Sequence, residues 1–203
     1  MQTGDTLIQL YHNFITDFET NINLLKLAHL SVIVSRQYQD RDSALAFLES
    51  VIEKLRATTD RRVEEPVVYV LMQVAAVKLQ GGDESGCAAL LEEGRSSVER
   101  LSEVDPSVHA IVNWVTSQYH KSKQEFADFY RTALQYLAYT SLDTLSEPFK
   151  LDLAVDLSLA ALLGENIYNF GELLAHPLVS LPRCFSSVSE DLAFSCLALI
   201  WCR

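Results

Sequence analysis

Five histidines, four cysteines and several adjacent carboxylates are the residues of this chain whose types could support chemistry. Their spacing does not. His12, His29, His109, His120 and His176 are scattered over different segments, with no H-E-x-x-H and no H-x-H. Cys87, Cys184, Cys196 and Cys202 form no C-x-x-C pair, and no His lies near the last three. Structural zinc sites take their ligands in close pairs, so neither a zinc site nor a disulfide framework is expected. The nucleotide-binding patterns G-x-x-x-x-G-K-[ST] and G-x-G-x-x-G are absent, as is the G-x-S-x-G elbow of serine hydrolases. Ser, His and Asp can be assembled on paper in any chain this long. Each His is therefore read as a surface or capped core side chain. For His176 a place in the last turn of a short helix suffices, where the helix dipole favours a cation by about 0.3–1 kcal/mol. The acidic pairs Glu64–Glu65 and Asp83–Glu84 sit at expected helix starts, where carboxylates oppose the dipole. Glu92–Glu93 falls on a polar helix face. No catalytic, cofactor-binding or metal residue is assigned, and no enzyme activity is expected.

Charge narrows the partners. The net charge is −11, the reverse of the clustered Lys and Arg that displace counterions from nucleic acid. An anionic membrane surface is disfavoured for the same reason. The longest uncharged apolar run, Leu192 to Cys202, is shorter than the about 20 residues a spanning helix needs. Met1 to Leu10 carries no basic residue and no apolar core of signal-peptide length. Reduced thiols in the cytosol or nucleus are the expectation.

The elements that carry these residues read as helices almost throughout, in a chain that is 49% hydrophobic with only 7 Gly and 5 Pro. Leu7, Leu10, Tyr11, Phe14 and Phe18 share one helical face. Leu24 to Val34 is apolar nearly all round, which predicts a helix buried between neighbours. Ala44, Phe47, Leu48, Val51 and Leu55 form the next stripe, after a cap at Asp40 or Asp42. Pro66 is read at the first position of a fourth helix bearing Val67, Val70, Leu71, Val74 and Val77. Its β-branched content suits a strand, but its length favours helix. Gly81–Gly82 breaks the chain, and Asp83 caps a helix with Cys87, Leu90, Leu91, Gly94, Val98 and Leu101 on one face. Gly94 on that stripe predicts close approach of a neighbouring helix. Asp105–Pro106 opens a sixth helix with Val108, Ile111, Val112, Val115 and Tyr119; Trp114 lies off its main stripe, facing either a neighbouring repeat or a partner. Ser122 and Glu125 read as a capping box for a seventh, carrying Phe126, Phe129, Tyr130, Ala133, Leu134 and Leu137. Pro148 opens an eighth that runs to Leu163. A weak repeat, Ala44-Phe47-Leu48-Val51, Cys87-Leu90-Leu91-Gly94 and Ala127-Tyr130-Arg131-Leu134, recurs at roughly 40 residues, the period of stacked helix pairs. No tetratricopeptide signature appears in full. The expected fold is all-α, an irregular, tetratricopeptide-like α-solenoid of antiparallel helix pairs.

The most specified stretch runs from Leu162 to Pro177. Gly164 is read as a C′ residue with positive φ. Tyr168 and Phe170 come next, in the connection. Asn169 reads as an N-cap with Glu172 as its reciprocal partner three places on, and Pro177 closes the short helix. Tyr168, Asn169, Phe170, Gly171 and Glu172 are the candidates for a structural junction or partner interface. Tyr168 and Phe170 are expected to anchor the packing between the last helical pair and the element beyond it.

Two long segments also carry a resemblance. Gly4-Asp5-Thr6-Leu7-Ile8-Gln9-Leu10-Tyr11-His12-Asn13-Phe14-Ile15-Thr16-Asp17-Phe18-Glu19 resembles the G-D-x-L-I-x-L-Y-x-N-F-I-x-x-F-E segment of a proteasome regulatory-particle family. Leu162 to Pro177 resembles its L-L-G-E-x-x-[FY]-N-F-G-E-L-L-x-H-P. Between them, Ala44 to Glu49 resembles its A-L-x-F-L-E. The family is that of the non-ATPase lid subunit thirteen, PCI-domain proteins of the 26S proteasome. The resemblance implies a right-handed superhelix of helix pairs followed by a winged-helix module, and a scaffold without an active site. The implied partners are other lid subunits, in cytoplasm and nucleus, with no nucleic acid, membrane or small-molecule substrate. The expected role is support of ATP-dependent degradation of ubiquitinated proteins. Residues 1–177 are read as the helical arm and 178–203 as a divergent tail, so the chain is expected to be a truncated form without the family's winged helix. A helical-repeat adaptor of another PCI complex, of signalosome or translation-initiation-factor type, is the alternative.

Overall fold

Eight α-helices succeed one another in the computed structural model, which describes residues 3–13, 22–58, 62–165 and 167. They are α1 (Thr3–Asn13), α2 (Leu24–Ser35), α3 (Arg41–Ala57), α4 (Glu64–Gln80), α5 (Glu84–Arg100), α6 (Pro106–Ser122), α7 (Phe126–Tyr139) and α8 (Glu147–Leu163), with a 3-10 turn at Leu142–Thr144. Among the described residues there is no strand. The chain divides into two units, Met1–Tyr119 and His120–Arg203, the division falling inside α6.

In the first unit α4 is the central element. It packs on α2, α3 and α5, which is why its sequence is apolar on nearly every side. Val70, Met72 and Ala75 lose all solvent contact, and Val67, Val68, Leu71 and Val74 are buried around them. The β-branched run is thus a helix surrounded by helices, not a strand. Packing of α2 on both α3 and α4 is the stacking of successive helix pairs that a roughly 40-residue period predicts. The α3 stripe is buried throughout: Ala44, Phe47, Leu48, Val51 and Leu55. Tyr11 of α1 reaches this core edge-on to Phe47, with ring centroids 5.1 Å apart. Leu10, expected on the same face, is 50% exposed. Ile33 of α2, the helix expected to be buried between neighbours, is also exposed. Phe14 and Phe18 lie outside the described residues.

Gly94 performs as its position on the stripe predicts. A Cβ there would overlap the Met72 methyl group, so α5 approaches α4 closely at this glycine. Leu101 is not on the helix; it is the extended residue that ends α5. Trp114 is half-buried against the core of the first unit, so it serves a contact within the chain.

In the second unit α7 packs on α8. The pair buries Phe129, Tyr130, Ala133 and Leu137 from one helix and Leu153, Ala154, Leu157, Ala160 and Ala161 from the other. The repeat weakens here as its sequence does: Arg131, at a position held by leucine in the other two copies, points to solvent.

Helix starts obey local chemistry. Asn23 accepts from the N–H groups of Leu25 (3.0 Å) and Lys26 (3.3 Å), capping α2. Asp40, rather than Asp42, caps α3 by accepting from Ser43 N–H at 3.0 Å. Asp83 caps α5 through Gly86 N–H at 2.8 Å. Asp105 accepts from Ser107 N–H at 2.8 Å at the start of α6, with Pro106 as the first helical residue. Each of these three carboxyls is held below its ordinary 3.8 by the hydrogen bonds it accepts. Pro66, expected at the first position of α4, is the third residue. The first intrahelical bond runs from Val67 N–H to Val63 C=O, so the missing N–H of Pro66 costs no hydrogen bond there.

The capping box expected from Ser122 and Glu125 does not form. Ser122 is the last residue of α6, and Glu125 precedes α7 without a side-chain cap. Instead, Gln124 adopts φ 60° and ends α6 in a Schellman turn: Glu125 N–H donates to His120 C=O and Gln124 N–H to Lys121 C=O. The same motif ends α4, with Gly82 at φ 82°, Asp83 N–H on Lys78 C=O and Gly82 N–H on Leu79 C=O.

Candidate functional site

Among the described residues, three polar groupings invite a chemical reading. In the first unit α2 and α6 bring His29, Ser107 and Asp105 together. His29 Nε2 lies 3.2 Å from Ser107 Oγ, and Ser107 Oγ lies 2.6 Å from Asp105 Oδ1. The residue types are those of a hydrolase triad, but the proton runs the wrong way. A carboxylate only accepts, so the hydroxyl proton of Ser107 goes to Asp105. Ser107 Oγ can then only accept from His29, which fixes the Nε2–H tautomer. A general base must take the serine proton; here the histidine gives one. Burial lowers the His29 pKa below its ordinary 6.5, partly opposed by Asp105. The ring rests on Tyr69 with centroids 4.2 Å apart, and the grouping ties α2, α4 and α6 together.

The second grouping lies at the α6–α7 corner. One donor atom each from His120, Glu125 and Asp128 falls within 4.8 Å of the others. These atoms already serve protein partners: His120 Nδ1 is 2.6 Å from Glu125 Oε2, and Asp128 Oδ1 accepts from Arg131 at 3.2 Å. Spacings of five and three residues fit no metal motif, so the sequence gives no sign of this cluster; the Schellman turn creates it by reversing the chain over Gln124. As built, it is a network of polar side-chain contacts that fastens the turn. Lys121 adds an ion pair to Asp156 of α8.

The third is a cavity of about 1020 Å³ in the first unit, at the ends of α2 to α5. Tyr11, Asn23, Lys54, Arg62, Glu65 and Asp105 are among its lining residues, which include neither His nor Cys. Its lining mixes charges of both signs with apolar side chains. Cys87, the one cysteine among the described residues, is fully buried. Burial, with Asp83 and Glu84 nearby, pushes its thiol up to about 11, which keeps it protonated.

The remaining sequence candidates divide sharply. His109 lies on α6, and the side chain of His12 on α1 is outside the described residues. Glu64–Glu65 occupy the first turn of α4, and Asp83–Glu84 open α5, as expected. Glu93 pairs with Arg56 of α3 at 3.0 Å on an exposed face. Tyr168, Asn169, Phe170, Gly171, Glu172, His176, Cys184, Cys196 and Cys202 lie outside the described residues.

The entrance to that junction is described, and it corrects the reading of Gly164. The residue ends α8 with φ −73° and ψ 133°, ordinary extended backbone that any residue adopts, not a positive-φ C′ position. Its lack of a side chain serves space instead. A Cβ on Gly164 would sit 2.8 Å from Ala160 C=O and overlap the Ile167 side chain, so Ile167 folds back over the last turn of α8. On that helix Leu159 is 44% and Leu163 58% exposed, one turn apart.

Among the described residues no helix is long and apolar enough to cross a membrane. The family model described as PSD13 N-terminal repeats matches residues 1–187. The 26S proteasome non-ATPase regulatory subunit 13 homolog A of Arabidopsis thaliana is 64% identical over 178 residues, 88% of this chain and 46% of that protein. The 26S proteasome non-ATPase regulatory subunit 13 of Dictyostelium discoideum is 32% identical over 176 residues, 85% of this chain and 44% of that protein. The probable 26S proteasome regulatory subunit rpn9 of Schizosaccharomyces pombe is 33% identical over 180 residues, 89% of this chain and 46% of that protein. The chain spans about half the length of the curated relatives it matches. Helices stacked in pairs, polar groupings spent on fastening them, and these matches place the chain in one family: it belongs to the PSD13 N-terminal repeats of proteasome regulatory subunits.

Proposed function

We propose that the chain is a non-catalytic scaffold arm of the 26S proteasome regulatory particle lid, binding other lid subunits through helical surfaces and so supporting ATP-dependent degradation of ubiquitinated proteins. The observation that carries the reading is the 64% identity to a proteasome non-ATPase regulatory subunit across 88% of the chain. The spent polar groups support it: the His29–Ser107–Asp105 grouping is wired against catalysis, and the buried Cys87 thiol is protonated. An acidic chain of this kind is a protein-binding module of cytoplasm and nucleus rather than a reader of nucleic acid or anionic membrane. Residues 1–177 form its helical arm and 178–203 a separate tail. Tyr168, Asn169, Phe170, Gly171 and Glu172 form the junction at the C-terminal end of the arm.

Affinity purification of the tagged chain, with mass spectrometry of the proteins it retains, tests this. Lid subunits in near-stoichiometric yield are the expected result. Recovery of signalosome or initiation-factor subunits in their place, or of chaperones alone, refutes it.

A further inference from the structure

The corner between α6 and α7 carries a donor set that the acidic pairs elsewhere lack. Glu64–Glu65 and Asp83–Glu84 offer carboxylates alone. At this corner a ring nitrogen of His120 and one carboxylate oxygen each from Glu125 and Asp128 lie within 4.8 Å of one another. All three residues belong to the second unit. Their backbones are fixed independently of these side chains: Glu125 N–H donates to His120 C=O at 3.0 Å, and Gln124 N–H to Lys121 C=O at 3.1 Å. The His120 side chain is 17% exposed, so packing as well as hydrogen bonding holds its ring.

We propose that His120, Glu125 and Asp128 bind zinc(II), which staples the last turn of α6 to the first turn of α7. One imidazole nitrogen with two carboxylate oxygens is a donor set that suits zinc, whereas calcium and magnesium favour oxygen alone. Two ligands about 2.0–2.2 Å from a tetrahedral zinc stand about 3.3 Å apart. His120 Nδ1 and Glu125 Oε2, now at 2.6 Å, need part only slightly to admit the ion, and Asp128 closes on it by side-chain rotation. The hydrogen bonds already made are compatible with this. A carboxylate only accepts, so without the ion His120 Nδ1–H donates to Glu125 Oε2. Zinc takes the place of that proton: the neutral imidazole presents its Nδ1 lone pair and keeps its hydrogen on Nε2. Asp128 Oδ1 accepts from Arg131 at 3.2 Å, which leaves its second oxygen for the ion. A cation also offsets the repulsion between two carboxylates gathered beside one ring, and the net charge of −11 draws cations to the chain. Three protein ligands leave the fourth position to water. The staple goes beyond the scaffold reading and does not depend on lid membership.

Amide NMR spectra of the isotopically labelled full chain, titrated with zinc(II) and then with paramagnetic cobalt(II), test the site. A Cys184→Ser/Cys196→Ser/Cys202→Ser background removes competing thiolates. Expected are shifts of the amides of 119–129 that saturate at one zinc per chain, and cobalt broadening centred on the same signals. His120→Ala should weaken this binding by at least about tenfold, and so should Glu125→Gln, which keeps the shape of the side chain. Glu64→Gln/Glu65→Gln should leave it unchanged. Unmoved amides in α2 to α5 report that each variant is folded. Shifts confined to other segments, or spread over the acidic surface, overturn the proposal. So do 119–129 shifts that survive both His120→Ala and Glu125→Gln, or that calcium(II) reproduces at the same concentration, since either would leave the imidazole without a role.

Discussion

Replacing Gly94 with alanine sets two opposed effects against each other, and the structure decides which is larger. In a helix interior alanine is better than glycine by about 1 kcal/mol, so propensity alone predicts stabilisation. Against it stands Met72, fully buried on α4, whose methyl group occupies the place of the new Cβ. An extra methyl forced into a packed core costs about 1–3 kcal/mol. Met72 is flexible, but it is fully buried, so making room means repacking its methyl group among core side chains. Taking the middle of that range, Gly94→Ala should destabilise by about 1 kcal/mol, or about 2–4 °C in Tm for a chain of this size. The sign should reverse once Met72 is shortened. In a Met72→Ala background, itself weaker by about 2–5 kcal/mol, the added methyl meets free space. Gly94→Ala should then stabilise by the propensity difference of about 1 kcal/mol, giving a coupling of about 2 kcal/mol between the two sites. Urea unfolding of the four proteins, monitored by far-ultraviolet circular dichroism, measures the cycle. Equal stabilisation by Gly94→Ala in both backgrounds would refute the close approach of α5 to α4.

Single residues elsewhere carry further consequences. Gln124→Gly relieves a left-handed conformation that costs a side-chain-bearing residue about 1–2 kcal/mol, so it should raise the urea midpoint, whereas Gln124→Val should lower it; a midpoint unmoved by either would refute the Schellman turn. His29 is depressed below its ordinary 6.5 in the folded chain, so its contribution to stability is complete above pH 6.5 and is lost as pH falls through the lower folded value. The urea midpoint should therefore drop between pH 7.5 and 5.5, and His29→Gln should flatten that slope; an unchanged slope would show that His29 is not the titrating group. Cys87, with its thiol pushed up to about 11 and no solvent contact, should resist iodoacetamide at pH 7.5 in the native chain and react on unfolding. Peptide mass spectrometry reads this, and rapid native labelling of Cys87 would contradict its burial.

Identity and the order of helices were legible in the residues alone. Apolar stripes at 3.6 spacing, Asp40, Asp83 and Asp105 before them, and Gly81–Gly82 between them all depend on hydrogen bonds and faces formed within a few residues, and such interactions can be read along the chain. Two family-specific segments at the ends of the arm carried the recognition in the same way. The candidate polar sites were not legible. His29 meets Ser107 across 78 positions, and only the fold brings α2 to the start of α6 and settles which one gives the proton. His120, Glu125 and Asp128 converge because Gln124 takes a left-handed turn that a glycine would have advertised and a glutamine hides. Two glycines mark the boundary most clearly. Gly94 declared its close approach from the stripe, but only the fold names Met72 as the neighbour. Gly164 suggested a dihedral angle and proved to be about space, because the backbone there is ordinary and the crowding comes from Ala160 and Ile167. Local hydrogen bonding and periodicity belong to sequence; which atoms compete for one volume belongs to the tertiary structure, since it depends on partners that the chain brings in from elsewhere.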